Sequence, residues 1–140
     1  MRIVLDTSVL VAAFRSSRGA SHAVLEEIEQ GQIQILASPA LFLEYEEVLK
    51  RSKHGLPCQA VDGILAELAE RIEPVQIWYL WRPQLIDADD EMVLDAAING
   101  RADAIVTHNG RDFELAAPLF GINVWSPATL LRFLRQKREG

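Results

Sequence analysis

The chain has 140 residues, of which 49% are hydrophobic and 24% charged, a composition that fits one globular domain and excludes a disordered protein. We expect residues 1–140 to form a single domain outside the membrane, because no apolar run approaches the roughly 18 residues needed to span a bilayer. The formal net charge of −6 argues against a broadly basic surface for nucleic acid, unless acidic residues cluster where a cation balances them. Cys58 is the single cysteine, which excludes an intramolecular disulfide and is consistent with a reducing cytoplasm.

Short apolar runs alternate with longer helical patterns along the chain. In order, we predict a strand at 3–5, helices at 8–14 and 21–30, a strand at 33–37, helices from 39 to about 52 and at 58–72, a strand at 75–78, a helix at 88–99, strands at 104–106 and 122–124, and a last helix from Pro127. Ser38 and Ser126 each precede a proline, which is the pattern of a helix N-cap. The alternation predicts an α/β fold with a mostly parallel sheet covered on both faces.

Polar residues follow two of the predicted strands directly. In open parallel sheets, ligands bind outside the carboxyl ends of the strands, so these positions are candidates for a site. Asp6 follows the first strand, and Asn109 and Asp112 follow the strand at 104–106. Each has a structural alternative, because Asp6 can cap the next helix and Asn109 with Gly110 is a common turn dipeptide.

Glu44 lies on the apolar face of the helix that begins at Pro39. A carboxylate on a buried helix face is costly unless positive charge meets it. Glu46 and Glu47 differ, because Lys50 and Arg51 follow them at four-residue spacing and predict solvent-exposed ion pairs. Glu44 is therefore the acid of this helix that we expect to serve a site.

Asp87, Asp89 and Asp90 crowd the start of the helix at 88–99. One acid at this position caps a helix and interacts favourably with its dipole, but three repel one another and exceed what capping requires. Asp90 precedes the apolar positions of the helix and is predicted to point toward the sheet. Carboxylate and amide oxygens from several parts of the chain would be ligands for Mg²⁺ or Mn²⁺ rather than Zn²⁺.

These motifs resemble those of the PIN-domain ribonucleases, especially the small bacterial members that serve as VapC-type toxins in toxin–antitoxin pairs. The resemblance runs nearly end to end and is carried by residues 2–13, 38–49, 87–97, 102–113 and 124–127. It implies a three-layer α/β/α fold with a five-stranded parallel sheet. It also implies homodimers and Mg²⁺- or Mn²⁺-dependent cleavage of single-stranded RNA that leaves 5′-phosphate and 3′-hydroxyl ends.

The resemblance also implies which residues form the site. The implied metal ligands are Asp6, Glu44, Asp90, and either Asn109 or Asp112, with the four acids among them as catalytic residues. Ser8 and Thr107 would orient these ligands. The family often has Asp where this chain has Asn109, so this position carries no negative charge. Whether the site binds a second metal ion therefore stays open.

Several basic and aromatic residues are candidates for contacts to the RNA. Arg15 and Arg18 follow the first helix, close to Asp6 in sequence, and are candidates for phosphate contacts. Trp78, Tyr79 and Trp81 could stack on bases, pack in the core or form a dimer surface. If the chain is a toxin, a small antitoxin is expected to cover the acidic pocket.

Three other classes of protein are alternatives for this sequence. A phosphoacceptor receiver domain needs a lysine after a strand of its site, and residues 107–112 and 125–127 contain none. A HAD-type phosphatase needs a second Asp two positions after Asp6, where this chain has Ser8. A catalytically weak or silent PIN-like module that binds RNA or a protein partner stays open because of Asn109.

Overall fold

The computed structural model describes residues 1–139. In chain order the elements are β1 (Arg2–Leu5), α1 (Thr7–Arg15), α2 (Ala20–Glu29), β2 (Gln34–Ala37), α3 (Pro39–Leu49), α4 (Cys58–Arg71), β3 (Glu73–Pro74), α5 (Ala88–Asn99), β4 (Ala104–Val106), β5 (Asn123–Trp125) and α6 (Pro127–Glu139). Short 3-10 helices lie at Ser52–His54, Gly110–Asp112 and Ala117–Phe120. Within this part of the chain, every helix is too short or too polar to cross a membrane.

The strands form one five-stranded parallel sheet in the order β3-β2-β1-β4-β5. Ile3, Val4 and Leu5 of β1 are fully buried. Because successive strand residues point to opposite faces, both faces of the sheet are covered, and the domain has three α/β/α layers as expected. The chain leaves β1 toward β2 on one side and returns to β4 on the other, so the strand order reverses at the β1–β4 pair.

Helix boundaries follow the predicted capping chemistry. The Ser38 hydroxyl accepts a hydrogen bond from the Leu41 amide at 3.1 Å, and the Ser126 hydroxyl accepts one from the Thr129 amide at 3.1 Å. The helix predicted to reach about residue 52 is shorter, because α3 ends at Leu49 and a separate 3-10 turn follows.

The strand predicted at 75–78 is misplaced. β3 covers only Glu73 and Pro74, and the amide of Val75 makes one further bond to the Ala37 carbonyl at 3.0 Å. β2 ends at Ala37 because the chain there turns into α3, so no neighbouring strand is left to pair with residues 76–78. The amides of residues 78 and 79 are bonded instead to the side chain of Asn99.

α5 packs across β1, β2 and β4 and determines where its acidic first turn lies. Its far end is tied to the start of β1, because the Arg2 guanidinium donates to the Gly100 carbonyl at 2.9 Å. A Cβ at Gly100 would come within 2.8 Å of both the Ala96 carbonyl oxygen and a Val75 methyl group, so this close packing requires glycine. α5 therefore runs antiparallel to β1, and the helix start with Asp90 lies at the carboxyl end of β1.

Candidate metal centre

Asp6 lies at the carboxyl end of β1, at the point where the strand order reverses. Its Oδ2 accepts hydrogen bonds from the Ser8 hydroxyl at 2.8 Å and the Thr107 hydroxyl at 2.6 Å. Asp6 occupies the N-cap position of α1 but makes no capping bond with its side chain. Within residues 1–139, Oδ1 of Asp6 accepts no hydrogen bond. Asp6 is only 7% exposed, and this second carboxylate oxygen is left for another partner.

The residues around Asp6 tie three elements together. Thr107, which is 1% exposed, also accepts a hydrogen bond from the Asn109 amide at 2.9 Å. The buried Tyr45 hydroxyl on α3 donates to the Leu5 carbonyl at 2.5 Å. Burial raises the pKa of Tyr45, and the Asp6 carboxylate raises it further, so this phenol stays a neutral donor. The backbone on both sides of Asp6 is thereby held in place.

Asp90 on the first turn of α5 is the most strongly perturbed carboxyl group of the site. Asp87 caps the helix by accepting a hydrogen bond from the Asp89 amide at 2.9 Å, so Asp90 is not needed for capping. Burial raises the pKa of Asp90 to about 7, with further contributions from the negative charges of Asp6, Asp112, Asp87 and Asp89. The negative charge of Asp90 is therefore poorly stabilised by the protein, and a bound cation would relieve this.

Glu44 is 8% exposed on α3, which confirms the predicted burial of this acid. Burial raises its pKa, and the carboxylates of Asp89 and Glu47 raise it further. The two neighbouring acids form the predicted surface ion pairs, with Glu46 3.2 Å from Lys50 and Glu47 3.6 Å from Arg51. Glu44 thus faces the acidic start of α5 from the adjacent helix.

A cleft of about 360 Å³ opens beside Asp90. We call it the acidic cleft, because its lining includes three carboxylates next to one guanidinium and an apolar wall: Asp87, Asp90, Asp112, Arg111, Ile86 and Leu115. Asp112 is exposed in the 3-10 turn that follows Asn109. Of the two alternatives for a fourth ligand, Asp112 is therefore the one that shares a cavity with Asp90.

The sequence-predicted acids approach one another without forming a tight cluster. In residues 1–139, no three acidic, histidine or cysteine side chains are close enough together to hold a metal ion jointly. Asp6, Asp90 and Asp112 interact electrostatically, whereas the strongest carboxylate neighbours of Glu44 are Asp89 and Glu47. Because Mg²⁺ keeps several waters and often uses only one or two protein carboxylates, this donor set fits a hydrated hard cation.

Sequence reasoning missed a row of buried polar residues on the same helix. Glu91 accepts hydrogen bonds from the amides of Gln84 and Leu85 at 2.7 Å each, and Asp95 accepts bonds of 3.0 and 2.7 Å from the Arg82 guanidinium. With Asn99, these side chains fasten the segment 78–85 to α5 and so shape one wall of the acidic cleft. Their four-residue spacing, 91, 95 and 99, is the signal that could have revealed them.

The aromatic and basic candidates lie at the surface. Trp78 is 71% exposed and Trp81 is 48% exposed, so of the three alternatives given for them, packing in the core is wrong. They are displaced from the core because residues 78–85 are bonded to α5 through backbone amides and Arg82. Arg15, at the end of α1, bonds through its guanidinium to a ring nitrogen of His54 at 3.0 Å, and Arg18 is exposed in the following loop.

The fold and the site together define a doubly wound α/β protein with a carboxylate site at the reversal of its strand order. Comparison with protein families matches a model described as PIN domain over residues 2–111. This match covers most of the chain, and the protein therefore belongs to the PIN-domain family. No curated protein matched its sequence.

Solved structures share the fold at low sequence identity. The structure of VapBC2 from Rickettsia felis bound to a DNA fragment from their promoter matches with a TM-score of 0.63 and 17% identity, covering 90% of this chain and 98% of that chain. VapBC-1 from nontypeable Haemophilus influenzae gives 0.59 and 13%, covering 91% and 99%. FitAB bound to the IR36 DNA fragment gives 0.61 and 18%, covering 89% and 94%. At these identities the likeness shows the fold alone.

Proposed function

We propose that this PIN domain is an endoribonuclease that hydrolyses single-stranded RNA with the help of Mg²⁺ or Mn²⁺. The observation that carries the proposal is the placement of Asp6, at the carboxyl end of β1, and Asp90, on the first turn of α5, close enough for their charges to interact. Asp6 is one cause of the raised pKa of Asp90, so the pair is electrostatically strained without a cation. PIN domains are generally nucleases, and the family membership supports the same activity.

In the proposed mechanism, Asp6 and Asp90 would hold the ion, and the nearby carboxylates of Glu44 and Asp112 would add negative charge around it. A bound ion would supply positive charge for the scissile phosphate and lower the pKa of the attacking water. Ser8 and Thr107 hold one oxygen of Asp6, which leaves its other oxygen free to bind.

The remaining groups of the acidic cleft act on the water and the substrate. Asp112 is exposed beside Asp90 and is assigned the role of accepting the proton of the attacking water. Arg111 lines the same cleft and gives the scissile phosphate a second source of positive charge. Water attacks the phosphorus in line with the 3′ oxygen, the bond between phosphorus and that oxygen breaks, and the 3′ oxygen takes up a proton from solvent, which leaves a 5′-phosphate and a 3′-hydroxyl.

Asp6→Asn tests the activity, because it preserves the volume of the side chain and removes its charge. Cleavage of single-stranded RNA in Mn²⁺ should fall by at least about 100-fold. Asp103→Asn is the matched control, since Asp103 contacts the Arg2 amide at 2.8 Å at the opposite end of the sheet, and it should cleave like wild type. Unchanged cleavage by Asp6→Asn, after removal of contaminating nuclease, would rule the assignment out.

The biological role that we propose is that of a cytoplasmic toxin in a bacterial toxin–antitoxin pair, acting as a homodimer. The support is the shared fold with chains of the VapBC and FitAB structures. The proposal predicts a neighbouring short reading frame that encodes a DNA-binding antitoxin. Co-expression of both genes should yield a stable complex without RNA cleavage, and free activity in that complex would contradict the role.

One observation favours a second function, that of a silent PIN-like module that binds RNA or a protein partner. No three ligand side chains converge within residues 1–139, and Asn109 lacks a charge. Titration with Mn²⁺ followed by calorimetry separates the two. Binding that is lost in Asp6→Asn favours the nuclease, and the absence of binding in wild type favours the silent module.

A further inference from the structure

A second cavity is lined by residues of α1, of the end of α3 and of the 3-10 turn Ser52–His54. It has a volume of about 530 Å³, and its lining contains the side chains of Arg15, Lys53 and His54 and no acidic residue. We call it the basic groove. Ser8 is also part of its lining.

Ser8 connects the basic groove to the metal centre. Its hydroxyl lines the groove and donates to the Asp6 Oδ2 at 2.8 Å. Asp90 lines the acidic cleft, and its carboxyl group interacts electrostatically with the Asp6 carboxylate. The two cavities are therefore linked through Asp6, which bonds to Ser8 of the basic groove and interacts with Asp90 of the acidic cleft.

The cations of the groove are not neutralised by the protein. Lys50 pairs with Glu46 at 3.2 Å and with Asp62 at 2.7 Å, and the adjacent arginine also has a carboxylate partner. In contrast, neither Arg15 nor Lys53 forms an ion pair with any carboxylate of residues 1–139. Arg15 and Lys53 are therefore among the cations of residues 1–139 whose charge no carboxylate offsets.

His54 holds the guanidinium of Arg15. The distance between the Arg15 guanidinium nitrogen and His54 Nδ1 is 3.0 Å. Because a guanidinium can only donate, Nδ1 must accept, and the imidazole is neutral in this arrangement. Burial lowers the pKa of His54, and the charges of Arg15, Lys53 and Arg51 lower it further, in agreement with a neutral ring. The ring therefore acts as an acceptor that orients a cation.

Arg15 has a competing explanation, since basic residues in the last turn of a helix interact favourably with its dipole. The last turn of α1 is closed by the backbone, however, because the Ser16 amide bonds to the Ala12 carbonyl at 3.2 Å. The guanidinium reaches across to His54 on another segment instead. This orientation serves a ligand in the groove better than it serves the helix end.

We infer that the basic groove binds a backbone phosphate of the RNA next to the scissile one, with Arg15 and Lys53 in direct contact and His54 as the positioning residue for Arg15. The inference rests on the proposed function and names the subsite that guides the substrate. A planar guanidinium held from one side suits two-point recognition of a phosphate, and such contacts determine register rather than sequence specificity.

The test measures affinity for a fluorescent single-stranded oligoribonucleotide in the Asp6→Asn background without divalent metal, so that cleavage plays no part. Arg15→Gln and Lys53→Gln should each weaken binding about 5- to 20-fold and lower the slope of log K against log salt by about 0.7, the value for one lost phosphate contact on a single strand. Lys137→Gln, an exposed cation on α6, is the matched control and should change neither quantity.

His54 is tested by two substitutions. His54→Leu removes the acceptor and should weaken RNA binding, whereas His54→Asn retains an acceptor near the position of Nδ1 and should restore most of it. In the active background, the same loss should appear in KM more than in kcat. Equal effects of both substitutions would contradict the positioning role.

The outcomes separate this inference from the proposed function. Cleavage by wild type together with unaltered RNA affinity in Arg15→Gln and Lys53→Gln would overturn the groove alone. Groove-dependent binding without cleavage would support the groove and overturn the nuclease. Absence of RNA binding by the folded protein would overturn the groove. Thermal unfolding of each variant verifies that it is folded.

Discussion

The raised pKa of Asp90 predicts that Asp90→Asn stabilises the metal-free protein near neutral pH. The pKa of this carboxyl is raised from 3.8 to about 7 by burial and by the negative charges of its neighbours, Asp6 foremost. Between these two pH values the unfolded chain binds fewer protons at Asp90 than the folded one. The free energy of unfolding therefore decreases as pH rises through this window, and Asp90→Asn removes this decrease.

The size of the effect follows from the same shift. One pKa unit corresponds to about 1.4 kcal/mol, so an unscreened change of this size would be worth about 4 kcal/mol. Asp90 is only partly buried, and water around its carboxyl screens the interaction. We therefore expect a gain of about 1–2 kcal/mol above pH 7 and little gain near pH 4. This corresponds to an increase in Tm of roughly 3–8 °C.

Thermal unfolding in EDTA between pH 4 and pH 8 measures this dependence. Glu70→Gln, which removes an exposed carboxylate on α4, is the control and should leave the pH profile unchanged. Excess Mg²⁺ should reverse the order at pH 7.5, because wild type gains stability from binding and Asp90→Asn gains little. A destabilised Asp90→Asn at neutral pH without metal would refute the reasoning.

Three further substitutions test the surroundings of the site. Thr107→Val removes the 2.6 Å bond to Asp6 and should cost about 1–2 kcal/mol in urea unfolding and about 10-fold or more in Mn²⁺ affinity, with Thr107→Ser close to wild type. Arg82→Met leaves the buried Asp95 carboxylate unpaired and should cost about 2 kcal/mol at pH 7, less than a fully buried pair because Arg82 is 40% exposed. That loss should shrink toward pH 4 as the carboxyl, whose pKa burial already raises, takes up a proton. Asp112→Asn should lower Mn²⁺ affinity about 10-fold, and wild-type affinity would remove this residue from the ligand set.

Much of the fold was predictable because local patterns and tertiary structure agree. Buried parallel strands are short apolar runs, and each is followed by a helix with its own start and stop residues. Ser38 and Ser126 cap the helices that they were predicted to cap. β4 was predicted residue for residue, and β5 is displaced by one position.

The positions of Asp6 and Glu44 were also accessible from the sequence. Asp6 lies at a strand end, and a parallel sheet collects its strand ends on one edge. Glu44 was predicted to be buried because it shares the apolar face of its helix, and the structure confirms this. The partners of these acids were not accessible in the same way. The bond from Ser8 to Asp6 is local, but the bond from Thr107 to the same oxygen spans 101 residues and depends on the β1–β4 pairing.

The misplaced third strand and the exposed tryptophans share one cause. Residues 75–78 have the composition of a strand, but their neighbour β2 ends at Ala37 and offers no further pairing partners. The Asn99 side chain instead accepts one hydrogen bond of 2.9 Å from each of the backbone amides of Trp78 and Tyr79. The side chain of a residue on α5 thus takes the place of a neighbouring strand as the hydrogen-bond acceptor. Local propensity cannot predict this interaction, because the acceptor lies 20 residues further along the chain.

The net charge of the protein argues against nucleic-acid binding, but the distribution of its charges is compatible with the proposed path for RNA. Many of the acids lie in ion pairs or in the acidic cleft, where a divalent cation would cancel part of their charge. Two of the unpaired cations, Arg15 and Lys53, line the basic groove, which also includes Ser8, the partner of Asp6. Affinity for a phosphate backbone depends on the potential along its path and not on the sum over the whole surface. The sign of the net charge is therefore a weak argument about partners, and salt dependence measured on groove variants is a stronger one.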